Sequence, residues 1–199
     1  MVVLWALNNY SDLTHIICVE PVPSTFQILK ANVQNKNIVS LNFAVTSCGS
    51  DTTEMYDCSE ATLSTLNEKW LNDPSSRFFK KFKYKKISVK TITLDQLVID
   101  YGIPDLVKVD VEGAEDIVLS SLTKPVKTIC FEWAAETFDV TLRALNHLET
   151  LGYTAFHIQD SDSYTYKPVK YELSKDEVIA KLQTKKLKID WGMIWANNV

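Results

Sequence analysis

Short apolar segments alternate with amphipathic segments along most of the chain. Runs such as THIICVEP and PDLVKVDVEG are continuously apolar and end at polar or proline residues, as buried strands do. Many are followed by stretches in which apolar residues recur every three or four positions, the period of a helix packed on one face. This order predicts an α/β fold with a mostly parallel sheet whose strands are joined by helices.

The individual elements can be placed from the same pattern. We expect strands at THIICVEP, IVSLNFAV, KISVKTITL, PDLVKVDVEG, VKTICFEW, YTAFHI and, closing the chain, WGMIWA. The predicted helices cover 24–33 with Ser24 as cap, 63–71, LDQLVIDYG up to Gly102, 114–122, 138–151 up to Gly152, and 174–182. TSCGSDTT is predicted to be a turn. The 199 residues suit one domain over 1–199.

Composition supports a folded chain and leaves one unusual segment. Hydrophobic residues make up 46% and the net charge is −4, which argues against a protein whose whole surface is basic and binds nucleic acid. The segment 77–90 nevertheless carries seven basic residues and no acid, interleaved with aromatics. We favour an edge strand kept soluble by lysines over a surface for an anionic substrate or single-stranded nucleic acid.

The cysteines and the N-terminus indicate a cytoplasmic protein. The four cysteines (Cys18, Cys48, Cys58 and Cys130) are widely spaced and form no C-x-x-C pair, which is typical of core thiols in a reducing compartment. Neither they nor the three histidines have zinc-ligand spacing, and we predict no metal site. Residues 1–12 lack the features of a signal peptide, and no apolar run approaches the roughly 20 residues of a membrane span.

Acidic residues stand at the predicted ends of three strands. They are Glu20, Asp110 and Glu132. In open parallel sheets, ligands bind outside the carboxyl ends of the strands, where a carboxylate can accept ribose hydroxyls, bind a cation or take a proton. An exposed strand terminus is the alternative for each of them.

The segment VKVDVEGAE is the densest of these acidic groups. Asp110 ends a buried strand and is expected to be partly desolvated, Glu112 follows, and Gly113 permits a tight turn. A place at the helix start, where a carboxylate complements the helix dipole, explains Glu115 and is an alternative explanation for Glu112. We therefore expect Asp110 to act in acid/base chemistry or in orienting a substrate.

A glycine-rich turn is missing upstream of Glu20. The first glycine of the chain is Gly49, so residues 1–19 contain no backbone cradle for a phosphate or a methionine group. Residues 2–9 instead resemble the helix that would follow such a turn. This argues strongly against a dinucleotide-dependent dehydrogenase, whose pyrophosphate depends on that turn.

Several segments together resemble one family. ICVEPVPSTFQILKANV, LNFAV, TITLDQL and PDLVKVDVEGAEDIVLSSL are similar, in order and spacing, to the FkbM-type methyltransferases. The likeness runs from about Ile16 to Trp133 and is looser beyond. It implies a Rossmann-like methyltransferase sheet with an antiparallel last strand, and S-adenosylmethionine-dependent methylation of a hydroxyl on a sugar, glycan or small metabolite.

The resemblance also implies roles for particular residues. Glu20 and Pro21 correspond to the position that holds the cofactor ribose, and Asn42, Phe43 and Ala44 lie where its adenine would pack. Asp110 and Glu112 stand beside the methyl-transfer centre as candidate base or hydroxyl-orienting groups. We expect no nucleic-acid partner, and the sequence leaves the oligomeric state open.

The chain departs from the family at its N-terminus. Family members begin with a strand and an Asp-x-Gly-Ala-Asn type turn, so we expect a sheet missing its first strand and an N-terminally truncated domain. A natural fragment or pseudoenzyme, or an N-terminus rebuilt with weakened cofactor binding, would also produce this departure. The alternative function is accordingly a non-catalytic remnant or binding module of the same fold.

Overall fold

The computed structural model describes residues 15–34, 37–49, 51–163, 170–185, 187 and 190–198. The strands are β1 Ile16–Val19, β2 Ile38–Leu41, β3 Ala44–Val45, β4 Thr52–Cys58, β5 Tyr84–Ile92, β6 Leu106–Val109, β7 Thr128–Ala134, β8 Ala155–Asp160 and β9 Trp191–Asn197. The α-helices are α1 Pro23–Asn32, α2 Glu68–Asn72, α3 Leu94–Tyr101, α4 Glu115–Leu119, α5 Phe138–Thr150 and α6 Lys175–Gln183. Residues 2–9, predicted to be helical, lie outside the described part.

The described strands form three small sheets, where the sequence predicts a single one. β1 pairs with β2 in parallel, β5 lies between β3 and β4, and the third sheet has the order β6-β7-β9-β8. β6 and β7 are parallel, and β9 is antiparallel to both β7 and β8. The α/β class and the antiparallel last strand are thus confirmed, whereas the single mostly parallel sheet is wrong.

The main core covers the four-stranded sheet. Ile129 and Phe131 of β7 and Ile194 of β9 are fully buried there together with Leu145 and Leu148 of α5. Helix α5 presents these leucines on one face, as the helical period predicts. The core therefore fixes β7, the strand that carries Glu132.

Several local predictions need correction. Helix α1 begins at Pro23 after Val22, with no side-chain cap, so Ser24 lies inside the helix. The helix predicted over 63–71 is reduced to α2, preceded by a 3₁₀ turn at Ala61–Leu63. Strand β4 begins where a turn was expected, because its residues pair with β5 far along the chain.

Strand β5 is paired on one side only over 84–90, its part of the basic segment, as an edge strand would be. Among the described residues, this part of β5 pairs with β4, whereas β3 pairs only with Thr91 and Ile92, which follow the segment. Two of the β5 lysines pair with acids of β4, Lys85 with Asp57 at 3.2 Å and Lys86 with Glu54 at 2.8 Å.

Across the described residues, none of the helices combines the length and the apolar character that crossing a membrane requires.

Candidate active site

Glu20 lies directly after β1, where the sequence places it. Its Oε1 accepts a hydrogen bond of 2.8 Å from the backbone N–H of Val22, which fixes the side chain at the start of α1. A carboxylate has further acceptor positions for ligand hydroxyls. Burial raises the pKa of Glu20, and the carboxylate of Asp57 raises it further, while the bond from Val22 acts against both.

Asn42 joins the ends of β1 and β2. Its Nδ2 donates to the carbonyl oxygens of Glu20 and Pro21, at 2.8 and 2.9 Å. The structure therefore brings three of the predicted cofactor residues together. Ala44 does not share this hydrogen-bonded arrangement, because it is buried in a core cluster with Val22. Phe43, which is half-buried, lies between Asn42 and Ala44 along the chain.

A tight turn follows β6 and carries the predicted catalytic residues. Glu112 has a φ of 58° and Gly113 a φ of 84°, so two successive residues are left-handed. Thr65 Oγ1 donates to the carbonyl of Glu112 at 2.7 Å, and Asn67 Nδ2 donates to that of Gly113 at 2.6 Å. The segment before α2 thus holds the turn in place.

Glu115 has a structural role beyond the helix dipole. Its side chain is buried, and its Oε1 accepts hydrogen bonds from the backbone N–H groups of Val111 and Gly113, both at 3.2 Å. Burial raises the pKa of Glu115 to about 7, although these backbone bonds pull it down. Glu115 therefore anchors the turn from inside.

Carboxylate oxygens of Asp110, Glu112 and Glu132 lie within 4.8 Å of one another. Glu132 is inside β7 and not at its end, because the strand continues to Ala134. The Asp110 side chain is 36% exposed, whereas that of Glu132 is only 7% exposed. Three ionised carboxylates this close repel one another, so the group favours a shared proton or a positively charged neighbour.

Burial is the main influence on the two more buried members of this group. It raises the pKa of Glu112 and of Glu132 well above the usual range of a carboxyl, and the neighbouring carboxylates raise both further. Arg77 acts in the opposite direction on both. Our prediction that the chain has no metal site remains a prediction.

Arg77 is a site residue that the sequence did not reveal. The sequence assigns it to the basic segment, yet its Nε lies 3.0 Å from Glu136 Oε1 and its Nη2 3.9 Å from Glu132 Oε1. No local motif signals this, because the contact depends on how the segment before β5 folds onto β7. The only sequence signal for this contact is weak: an acidic and aromatic stretch near the end of β7, which includes Trp133 and Glu136.

A separate shallow cleft lies between the loop after β3, strand β4 and the start of α4. Thr46, Cys48, Glu54 and Ile117 are among the residues that line it. Cys48 is exposed, whereas Cys18, Cys58 and Cys130 are buried as predicted for core thiols. No predicted site residue lines this cleft.

Comparison with known proteins adds one finding. A family model described as the methyltransferase FkbM domain matches residues 3–175, a range that contains every predicted site residue. No curated protein and no solved structure matches the chain significantly.

Proposed function

The chain belongs to the FkbM methyltransferase family, and from that premise we propose that it transfers a methyl group from S-adenosylmethionine to a hydroxyl of a sugar, glycan or other small metabolite. The observation that carries the proposal is the left-handed turn after β6, which presents Asp110 and Glu112 together. Non-glycine residues in this conformation are concentrated at functional sites, because the strain must be offset by the surrounding structure.

The corner formed by Glu20 and Asn42 fits the ribose of the cofactor. A half-buried carboxylate at a strand end, held by Val22, can accept hydrogen bonds from vicinal hydroxyls. Pro21 lies at the same corner, while Ala44 contributes through the packing beneath it. When bound, S-adenosylmethionine supplies a methyl group on a positively charged sulfur.

Glu112 is the candidate base or hydroxyl-orienting group. Its raised pKa brings its proton exchange closer to neutral pH, where a general base is most effective. The carboxylate of Asp110 is more exposed and can accept a second hydroxyl from the acceptor. Holding the reacting hydroxyl in one orientation is the larger part of what this chemistry requires.

Binding of S-adenosylhomocysteine, measured by isothermal titration, tests the cofactor site. We expect the Glu20→Ala variant to bind at least about tenfold more weakly, because hydrogen bonds to a charged group contribute roughly 1.5–3 kcal/mol. Glu20→Gln keeps an acceptor for Val22, so it separates loss of ligand binding from loss of local structure.

Asp105→Asn is the matched control. The Asp105 side chain is 93% exposed and contacts Lys127 at 3.5 Å, so the substitution removes one negative charge without disturbing the Glu20 corner or the turn after β6. Equal affinity of Glu20→Ala and this control would contradict the proposed ribose contact. A folded chain without measurable affinity would instead favour the non-catalytic binding module.

A further inference from the structure

In the part of the chain that the structure describes, two cations lie beside the proposed methyl-transfer centre, and the first of them, the Arg77 guanidinium, is already paired. It contacts Glu136 at 3.0 Å and Glu132 at 3.9 Å, and only 16% of the side chain is exposed. Three aromatic rings also lie against the guanidinium, those of Trp70, Phe78 and Trp191, at 5.5, 5.0 and 5.8 Å. The two acids and the three rings thus already balance much of the positive charge of Arg77 before any ligand is bound.

Lys108, the second cation, is held in the same way. Its Nζ lies 3.0 Å from Asp110 Oδ2 and 3.0 Å from Asp162 Oδ2. The side chain is 23% exposed, so these charge-assisted bonds are partly shielded from water. To bind an anionic group, Lys108 would have to give up one of these carboxylates.

The acids around the turn outnumber these two cations. The acidic side chains are Asp110, Glu112, Glu115, Glu132, Glu136 and Asp162. Even when Glu112, Glu115 and Glu132 retain their protons, the three remaining carboxylates exceed the two cations. The ionised carboxylates of this group accept hydrogen bonds from hydroxyl and ammonium donors and repel a phosphate or carboxylate. A protonated carboxyl can also donate to an anionic oxygen, so the repulsion comes from the ionised members, which exceed the two cations even in that state.

We propose that the acceptor is a hydroxyl compound with no anionic group near the reacting hydroxyl, and that a positively charged acceptor is preferred to its neutral analogue. This inference rests on the proposed function, which places the reaction at Asp110 and Glu112. It narrows the substrate class to neutral and amine-bearing polyols and excludes phosphorylated and carboxylated ones.

Paired nitroxide probes test the charge of the site directly. The full ¹⁵N-labelled chain is titrated with a cationic aminomethyl nitroxide and, separately, with its anionic carboxy analogue, and relaxation of backbone amide protons is measured. At residues 110–113 we expect the cationic probe to enhance amide-proton relaxation at least about threefold more than the anionic probe. The reason is that a surface potential of several kT concentrates the probe of opposite charge. The amides of 80–83, in the basic segment, give the opposite ratio as an internal reference.

Two variants assign the effect to the site. Asp110→Asn should reduce the ratio at residues 111–113, whereas Asp105→Asn, an exposed acid elsewhere, should leave it unchanged. A ratio of one or below at residues 110–113 in the unmodified chain overturns the proposal.

A matched sugar series then tests selectivity in the reaction. Methyl transfer is compared for glucose, 6-amino-6-deoxyglucose and glucose 6-phosphate, which differ only in the group at one carbon. We expect methyl transfer to be fastest with 6-amino-6-deoxyglucose, slower with glucose and slowest with glucose 6-phosphate. Transfer to glucose 6-phosphate at the rate seen with the amino sugar overturns the proposal. If S-adenosylhomocysteine does not bind, the proposed function fails, while the nitroxide ratio still decides the charge of the site.

Discussion

Glu112 shows how a single residue is fixed in an unfavourable conformation. A left-handed non-glycine residue costs about 1–2 kcal/mol, and the bonds from Thr65 and Asn67 to consecutive carbonyls of the turn offset this cost. Gly113 then packs so closely that a Cβ would lie 3.0 Å from Cε3 of buried Trp70. The carboxylate of Glu112 is therefore presented by a turn with little freedom to relax.

Gly113→Ala should be markedly destabilising. The substitution adds a Cβ to a left-handed residue and overpacks the site against Trp70, Asn67 and Thr137, at a combined cost of roughly 2–4 kcal/mol. Gly152→Ala is the control, because Gly152 has a similar φ of 90° but open space around the added carbon. Urea unfolding measures both; an equal loss of stability in the two variants would contradict the close packing of Gly113.

At this scale the sequence indicated the turn but not its supports. Asp110, Glu112 and Gly113 stand together in VKVDVEGAE, so their proximity follows from chain connectivity. Arg77, Thr65 and Asn67 reach the turn only through tertiary folding. Local patterns contain no information about such partners.

Elements with strong local signals were placed well. Thr93 caps α3 by accepting a hydrogen bond from the N–H of Gln96, and Gly102 ends that helix with a φ of 92°. The helix predicted over 174–182 is α6, which begins at Lys175 with Ser174 as its cap. The sequence did not predict β4, because its polar residues form a strand only through pairing with β5. Neither segment by itself determines which residues of the two strands pair.

Removing the cap of α6 should have a moderate effect. Ser174 accepts a hydrogen bond from the N–H of Glu177, whose side chain accepts one from the N–H of Ser174. Ser174→Ala should cost about 1 kcal/mol, because one helix-end donor loses its partner. Ser174→Thr retains a hydroxyl and should stay close to the original stability; the midpoint of urea unfolding distinguishes them, and equal midpoints for both variants would contradict this role.

The whole molecule gathers acids from separate elements at one edge of the four-stranded sheet. Val109 of β6 pairs with Phe131 of β7, so the next residues, Asp110 and Glu132, lie side by side. The sequence placed these acids at the ends of predicted strands, but it indicated neither this register nor the depth at which Glu132 is buried. The division into three sheets likewise depends on long-range pairing.

This concentration of buried acids should make stability fall as pH rises. Burial raises the pKa of Glu112 and of Glu132 well above the usual range of a carboxyl, and the neighbouring carboxylates raise both further. Above about pH 4.5 the unfolded chain releases protons that the folded chain keeps, so these two carboxyls lower stability as pH rises, until they ionise in the folded chain as well. Below about pH 4.5 both states are protonated and the effect vanishes.

The variant Glu132→Gln should therefore gain stability relative to the unmodified chain as pH is raised from 5 to 8. Thermal unfolding across this range is the measurement, and Asp105→Asn serves as the control for removing an exposed acid. A difference between Glu132→Gln and the unmodified chain that does not change with pH would contradict the assignment.

The uneven exposure of the four cysteines has a practical consequence. Because Cys48 is exposed at the cleft beside β4 while the other three thiols are buried, the natural chain offers a single position for a thiol-reactive fluorophore. A dye attached there would sit on the loop that follows β3, a short distance along the chain from the Asn42 corner. The protein thus carries its own attachment point for an optical reporter, without an engineered cysteine.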